Sequence, residues 1–154
     1  MKTYSRLTLA FLLLILVVSQ VGADKPPQYG KHVEYYENGK KKVESHYKSG
    51  KHDGLRTEWY KSGEKKSETT YKNGKEDGLW IRWFRNGQKK FESHYKKGKE
   101  DGLWTRWYRN GQKKSERHYK HGKEDGLTTR WRENGSKIEE IQYKDGKEIS
   151  RKEF

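Results

Sequence analysis

The sequence predicts an all-β protein, an elongated single-layer antiparallel meander of tandem β-hairpin repeats. Three observations lead there: a 24-residue period that never slips, a turn dipeptide in step with it, and strand-length runs on both sides of each turn. Asp-Gly-Leu recurs at Asp53-Gly54-Leu55, Asp77-Gly78-Leu79, Asp101-Gly102-Leu103 and Asp125-Gly126-Leu127. A Tyr-Lys-x-Gly-Lys block begins at Tyr47, Tyr71, Tyr95, Tyr119 and Tyr143. The turn dipeptide is Asn38-Gly39, Ser62-Gly63, Asn86-Gly87, Asn110-Gly111 and Asn134-Gly135. Trp59, Trp83, Trp107 and Trp131 each stand three residues before it, and Tyr35 takes that place in the first unit. Self-similarity at a fixed spacing marks a repeat architecture, in which each unit buries its surface against its neighbours.

Residues 1–23 are set aside first. Lys2 and Arg6 give a basic start, Leu7 to Val18 is an apolar run, and Val21-Gly22-Ala23 supplies small residues before Asp24. This is the order of a signal peptide cleaved after Ala23. An uncleaved anchor is the alternative, but a spanning helix needs roughly 20 apolar residues and this run is shorter. Cleavage leaves no transmembrane segment and places the protein outside the cytoplasm, secreted or in the periplasm or cell envelope. Residues 24–29 form a short linker. Five units follow, at 30–53, 54–77, 78–101, 102–125 and 126–149, with a C-terminal tail at 150–154.

Each unit reads as an aromatic-rich strand, an Asn-Gly turn, a charged strand and a second Gly-containing turn, giving about ten strands in all. Asn-Gly between β-favouring runs is a strong hairpin signal because both residues tolerate positive φ. Gly pairs recurring within every unit disfavour helix, and Pro is absent beyond Pro26-Pro27. Alternation puts Leu79, Ile81 and Trp83 on one face of a strand and Trp80, Arg82 and Phe84 on the other. A three-residue loop with Gly87 left-handed puts Phe91, Ser93 and Tyr95 on the face of Trp83; a two-residue loop puts them opposite. The three-residue loop is favoured. It builds a core stripe of Trp83, Tyr95, Trp107, Tyr119 and Trp131 from successive strands, roughly 5 Å apart.

Composition limits how this sheet is held. There is no cysteine, so neither a disulfide nor a thiolate is available, and aliphatic residues are few. The aromatics must therefore supply most of the packing. Net charge is +14, and +12 without the leader, which favours anionic partners. Secretion disfavours nucleic acid among them.

Asp77-Gly78-Leu79-Trp80-Ile81-Arg82-Trp83-Phe84-Arg85-Asn86-Gly87-Gln88, and Asp101 through Gln112, resemble the bacterial variant of the MORN repeat. The resemblance covers about Gly30 to Lys147. It implies an elongated array of β-hairpins serving as an interaction module, and some bacterial members carry an antitoxin label. A secretion leader sits awkwardly with a cytoplasmic antitoxin. Classical MORN proteins are associated with membranes and scaffolds.

No catalytic constellation is present: there is no Cys, no Ser in a nucleophile elbow, and no phosphate-binding Gly loop. No cofactor is implied. His46, His94 and His118 share a repeat phase, but equivalent positions lie two strands, roughly 10 Å, apart and cannot share a metal bound at about 2 Å. The Lys-Glu-Asp-Gly turns lack the spacing of a calcium loop. Asn134-Gly135-Ser136 matches a glycosylation acceptor but equally fits the turn consensus.

Charge is the feature left to carry function. The five units have net charges of +2, +1, +4, +4 and 0. The two most basic units are also those that carry the additional Trp80 and Trp104. These residues, with Arg82, Arg85, Lys89, Lys90, Arg106, Arg109, Lys113 and Lys114, are the candidate ligand-binding set, in which Arg forks engage phosphate, sulfate or carboxylate. The alternative is that the charges keep a thin sheet soluble and its edges unpaired. The expected function is a non-catalytic interaction or scaffold module with a protein partner. Binding of anionic lipid or acidic polysaccharide, and neutralisation of a specific toxin, are the other two.

Overall fold

The structure, a computed structural model, describes residues 27–154; the expected leader at 1–23 and the first part of the linker lie outside the described residues. Thirteen strands form one sheet: β1 (Tyr29–Tyr35), β2 (Lys41–Lys48), β3 (Lys51–His52), β4 (Gly54–Trp59), β5 (Lys65–Lys72), β6 (Lys75–Trp83), β7 (Lys89–Lys96), β8 (Lys99–Trp107), β9 (Lys113–Lys120), β10 (Lys123–Glu124), β11 (Gly126–Trp131), β12 (Lys137–Lys144) and β13 (Lys147–Glu153). All pairing is antiparallel between chain neighbours, in the order β1-β2-β4-β5-β6-β7-β8-β9-β11-β12-β13. β3 and β10 are two-residue starts of the strands continued by β4 and β11. The sheet is thus the meander expected, with one strand position beyond the ten. That position is β13, which takes in residues 150–153, expected to be a tail, and pairs Ile141 with Arg151 and Glu140 with Lys152.

The two turns of each unit differ in kind. At Ser49-Gly50, Asn73-Gly74, Lys97-Gly98, His121-Gly122 and Asp145-Gly146 both residues have positive φ, which is the two-residue turn whose twist matches its strands. At the Asn-Gly turns only glycine is left-handed, as at Gly87 (φ 82°). There the Phe84 N–H donates to Gln88 O and the Gly87 N–H to Phe84 O, closing a three-residue loop. Asn86 does not supply positive φ. Its side chain accepts from the Gln88 N–H at 3.2 Å and donates to Arg109 O of the next unit at 3.2 Å.

The loop is the expected one, yet the stripe it was expected to build is not there. Trp83 lies opposite Lys89, but Arg82 lies opposite Phe91, so Lys90 is passed over as a β-bulge. The same shift follows Glu34, Glu58, Arg106 and Arg130. One extra residue reverses every side chain beyond it. Phe91, Ser93 and Tyr95 therefore share a face with Trp80 and Arg82, and Tyr95 and Tyr119 are parted from Trp83, Trp107 and Trp131.

On the tryptophan face each ring is covered from the neighbouring unit by a lysine, Lys41 over Trp59 (5.5 Å), Lys65 over Trp83 (6.0 Å), Lys89 over Trp107 (5.8 Å) and Lys113 over Trp131 (6.0 Å). Those lysines are held by Glu44, Glu68, Glu92 and Glu116, three residues on. The tyrosine face holds all three buried hydrophobic side chains of the described residues, Val43, Phe91 and Ile141, set among buried Ser45, Ser67, Thr69, Ser93 and Ser115. Small hydroxylated residues fit a sheet with no second layer, since neighbours on the same face can cover them.

Successive units are joined by repeated bonds to the backbone. The hydroxyls of Tyr36, Tyr60 and Tyr108 donate to Trp59 O, Trp83 O and Trp131 O at 2.7, 2.8 and 2.9 Å. At the opposite end Asp53, Asp77, Asp101 and Asp125 accept from the N–H of Asn73, Lys97, His121 and Asp145 in the following turn.

Candidate functional site

Comparing the five units position by position separates a framework from a variable surface. On the tryptophan face, Lys41/Lys65/Lys89/Lys113/Lys137 and Glu44/Glu68/Glu92/Glu116/Glu140 are invariant and Trp59/Trp83/Trp107/Trp131 are joined by Tyr35 in the first unit, while Val33/Thr57/Ile81/Thr105/Thr129 and His46/Thr70/His94/His118/Gln142 vary without a Lys, Arg, Asp or Glu. On the tyrosine face four positions change chemistry: His32/Arg56/Trp80/Trp104/Thr128, Glu34/Glu58/Arg82/Arg106/Arg130, Val43/Ser67/Phe91/Ser115/Glu139 and Ser45/Thr69/Ser93/Arg117/Ile141. The bulge puts these four series on one face.

Between the third and fourth units that face carries an open cleft of about 590 Å³. Its floor is Phe91, buried, with Trp80 and Trp104 packed edge-on against it at 4.8 and 4.9 Å between ring centroids. Edge-to-face pairs of this kind contribute roughly 0.5–1.5 kcal/mol each beyond area burial. Arg106 stacks on Trp104 at 4.3 Å and Arg117 lies over the same ring at 5.3 Å. Burial, and then the adjacent Arg117, hold the Arg106 guanidinium below its ordinary pKa. Arg117 is paired with Glu124 at 3.4 Å, whereas among the described residues no carboxylate pairs with Arg82, Arg106, Lys90 or Lys114. Ser93 Oγ, Trp104 Nε1 and Arg117 Nε are buried here without a hydrogen-bond partner.

The residue facing the bulge lysine explains why charge accumulates in these units. Lys42 is neutralised by Glu34 and Lys66 by Glu58, each at 3.1 Å. In the third and fourth units the residue in the Glu34 and Glu58 phase is Arg82 or Arg106, so Lys90 and Lys114 meet a like charge and lie instead over the rings of Phe84 and Tyr108. In the fifth unit the lysine is replaced by Ile138, and Glu139 binds both Arg130 and Arg151.

Of the residues picked from sequence, Trp80, Arg82, Lys90, Trp104, Arg106, Arg109 and Lys114 come together along the cleft. Arg85 lies apart, over the Tyr60 ring at 5.3 Å. Lys89 and Lys113 are on the opposite face, tied to Glu92 and Glu116. The bulge separates each of them from the adjacent Lys90 or Lys114. Sequence reasoning missed Arg117 and the floor residue Phe91. Both were visible as departures from the Ser/Thr and Ser/Val phases of the other units.

The histidines serve the framework. His46 and His118 Nδ1 bond to Leu55 O and Leu127 O at 2.9 Å, and His52 stacks between Tyr47 and Tyr71 at 4.4 and 5.1 Å. Burial, and then Arg56, lower the His52 pKa.

A thin sheet with a repeated Trp-Lys-Glu framework on one face, changing charge on the other and backbone staples from unit to unit defines a tandem-hairpin repeat protein, which offers surface for binding more than an enclosed cavity. Five stretches, residues 28–49, 53–73, 76–97, 100–121 and 124–145, match the family model for the MORN repeat variant. They cover more than half of the chain, and the chain belongs to that family, whose repeats are in general non-catalytic and mediate binding. A search of the curated proteins returned no match.

Proposed function

We propose that this chain is a non-catalytic interaction module acting outside the cytoplasm, and that it recognises a protein partner with the tyrosine face of its sheet. One observation carries this: within strands β4 to β12, from the second unit to the fifth, every exchange that reverses charge or brings in an extra tryptophan falls on that face, while the tryptophan face keeps its Trp, Lys and Glu series and varies only among side chains other than Lys, Arg, Asp and Glu. A surface kept only for solubility would spread the charge changes over both sides. The apolar run and small-residue site of residues 1–23 support the placement outside the cytoplasm.

A second reading, attachment to anionic lipid or acidic polysaccharide, is favoured by the Asn-Gly end of the sheet. Residues 35–42, 59–66, 83–90, 107–114 and 131–138 hold fourteen Lys and Arg against three Glu. Salt separates the two readings, because diffuse charge attraction is screened by salt and a packed contact much less so.

The test is a pull-down from envelope and culture-supernatant fractions at low and high salt, with Trp80→Ala/Trp104→Ala compared with Leu55→Ala/Leu103→Ala on the other face. One protein retained at both salt levels and lost only with the tryptophans supports the module; a toxin would appear in this way. Mixed polyanions recovered only at low salt, equally by all variants, would replace it with the charge reading.

A further inference from the structure

We propose that the cleft of the third and fourth units is a carboxylate site, occupied by acidic side chains of the partner where the other units use a glutamate of their own. The inference rests on the preceding assignment of the tyrosine face and names the chemistry that it reads.

The fold supplies its own template. In the second unit the Glu58 carboxylate sits between two cations of the tyrosine face, bonding to the Arg56 guanidinium and reaching Lys66 at 3.1 Å. In the fifth, the Glu139 carboxylate is buried and held by Arg130 at 2.6 Å and by Arg151 at 2.5 Å. A carboxylate between two cations is thus what this face accommodates when it is filled.

In the third and fourth units the bulge lysine remains, Trp80 and Trp104 stand in the place of Arg56, and the glutamate itself is replaced by Arg82 or Arg106, so the cations have no carboxylate between them. Arg82 stands with Lys90, and Arg106 with Lys114 and Arg117, on the two sides of the Trp104 and Phe91 floor. Like charges close together cost free energy unless an anion joins them, and planar guanidinium forks match a carboxylate in two parallel bonds. Lys90, Lys114, Arg106 and Arg117 stand over aromatic rings, which orients them and excludes water from one side. The carboxylates already present do not fill the site. Glu124 is taken by Arg117 at 3.4 Å, Glu100 approaches the Tyr95 hydroxyl at 3.5 Å, and Glu133 stands on the lining without pairing with Arg82 or Arg106. Arg82 and Arg106 are one repeat, two strands or about 10 Å, apart, so the site is bivalent and suits a segment with several acids.

The experiment uses the full chain and a short fluorescent poly-glutamate peptide, read by anisotropy at fixed salt. Wild type should bind, and Arg82→Glu/Arg106→Glu should weaken binding at least about a hundredfold. Two charge-assisted contacts are lost, and the introduced carboxylates sit on Lys90 and Lys114 as Glu58 sits on Lys66. Glu58→Arg should do the reverse, removing an internal carboxylate and tightening binding about tenfold or adding a site. Poly-galacturonate and phosphatidylserine vesicles are the comparison probes.

No peptide binding, or binding indifferent to both substitutions, overturns the inference, as does preference for either comparison probe. A protein partner still captured through Trp80 and Trp104 in those cases would leave the interaction module standing without the carboxylate site. Unchanged thermal unfolding of both variants shows that folding is not what was read.

Discussion

The stapling of units by tyrosine has one gap, and filling it should stabilise the sheet. Tyr36, Tyr60 and Tyr108 each donate a hydroxyl to the backbone carbonyl of the tryptophan 23 residues on, at 2.7 to 2.9 Å. In the third unit that residue is Phe84, whose ring has no hydroxyl to offer Trp107 O. The ring is placed like its counterpart in the fourth unit: Lys90 lies over Phe84 at 5.6 Å and Lys114 over Tyr108 at 5.3 Å. Phe84→Tyr should therefore form the missing bond without moving the ring. A hydrogen bond of this type contributes about 0.5–1.5 kcal/mol net, so the midpoint of thermal unfolding should rise by about 2–6 °C for an array of this size. Tyr108→Phe should lower it by a similar amount. Far-ultraviolet circular dichroism and tryptophan fluorescence, followed together, give the midpoints. If Phe84→Tyr lowers the midpoint, or Tyr108→Phe leaves it unchanged, the hydroxyl bonds do not hold the units together.

Three further outcomes are expected. Ser62 interrupts the ladder in which Asn38, Asn86 and Asn110 donate to Lys61 O, Arg109 O and Glu133 O, so Ser62→Asn should add up to about 1 kcal/mol in denaturant unfolding. His52 has its pKa lowered in the folded state, so the unfolded chain takes up the proton first. Its contribution is present above the ordinary value of 6.5 and is lost as pH falls through that value, and unfolding midpoints between pH 7 and 5 should show a loss that His52→Glu removes. Gly126 has φ +124°, and a Cβ there would stand 2.9 Å from His118 Cβ, so Gly126→Ala should cost more than about 1 kcal/mol, measured by the same unfolding.

The period, the strands and the left-handed Gly87 loop could all be read from the chain because each depends on local chemistry. The face of each strand could not be read from the loop alone, since it depends on a bulge between two lysines that look alike. Nothing in Lys89-Lys90 marks the second as the one left unpaired. A signal was nevertheless present: Lys41 and Glu44, and their equivalents in every unit, are three apart and would fall on opposite faces of a regular strand. Their recurrence as pairs requires an extra residue between them. The same oversight placed Lys89 and Lys113 in the candidate site and joined Tyr95 to Trp83. Arg82 and Arg106 were found because net charge by unit is insensitive to register. Arg117 was not, because it interrupts a small-residue phase that only unit-by-unit comparison displays.

The staples between units also set the step in which such a chain can change length. Bonds from tyrosine and asparagine reach 23 residues, and those to aspartate reach 20, so no unit depends on one far away. Removing or duplicating 24 residues would shorten or lengthen the ribbon by two strands and leave every remaining partner in place. Removing 23 would invert all side chains beyond the junction, setting lysine and tryptophan where tyrosine and serine now pack. Growth and loss by whole units therefore keep the pairing pattern of the sheet, while a single-residue insertion within a strand is severe. The period, more than any one residue in it, is what selection on this chain has to preserve.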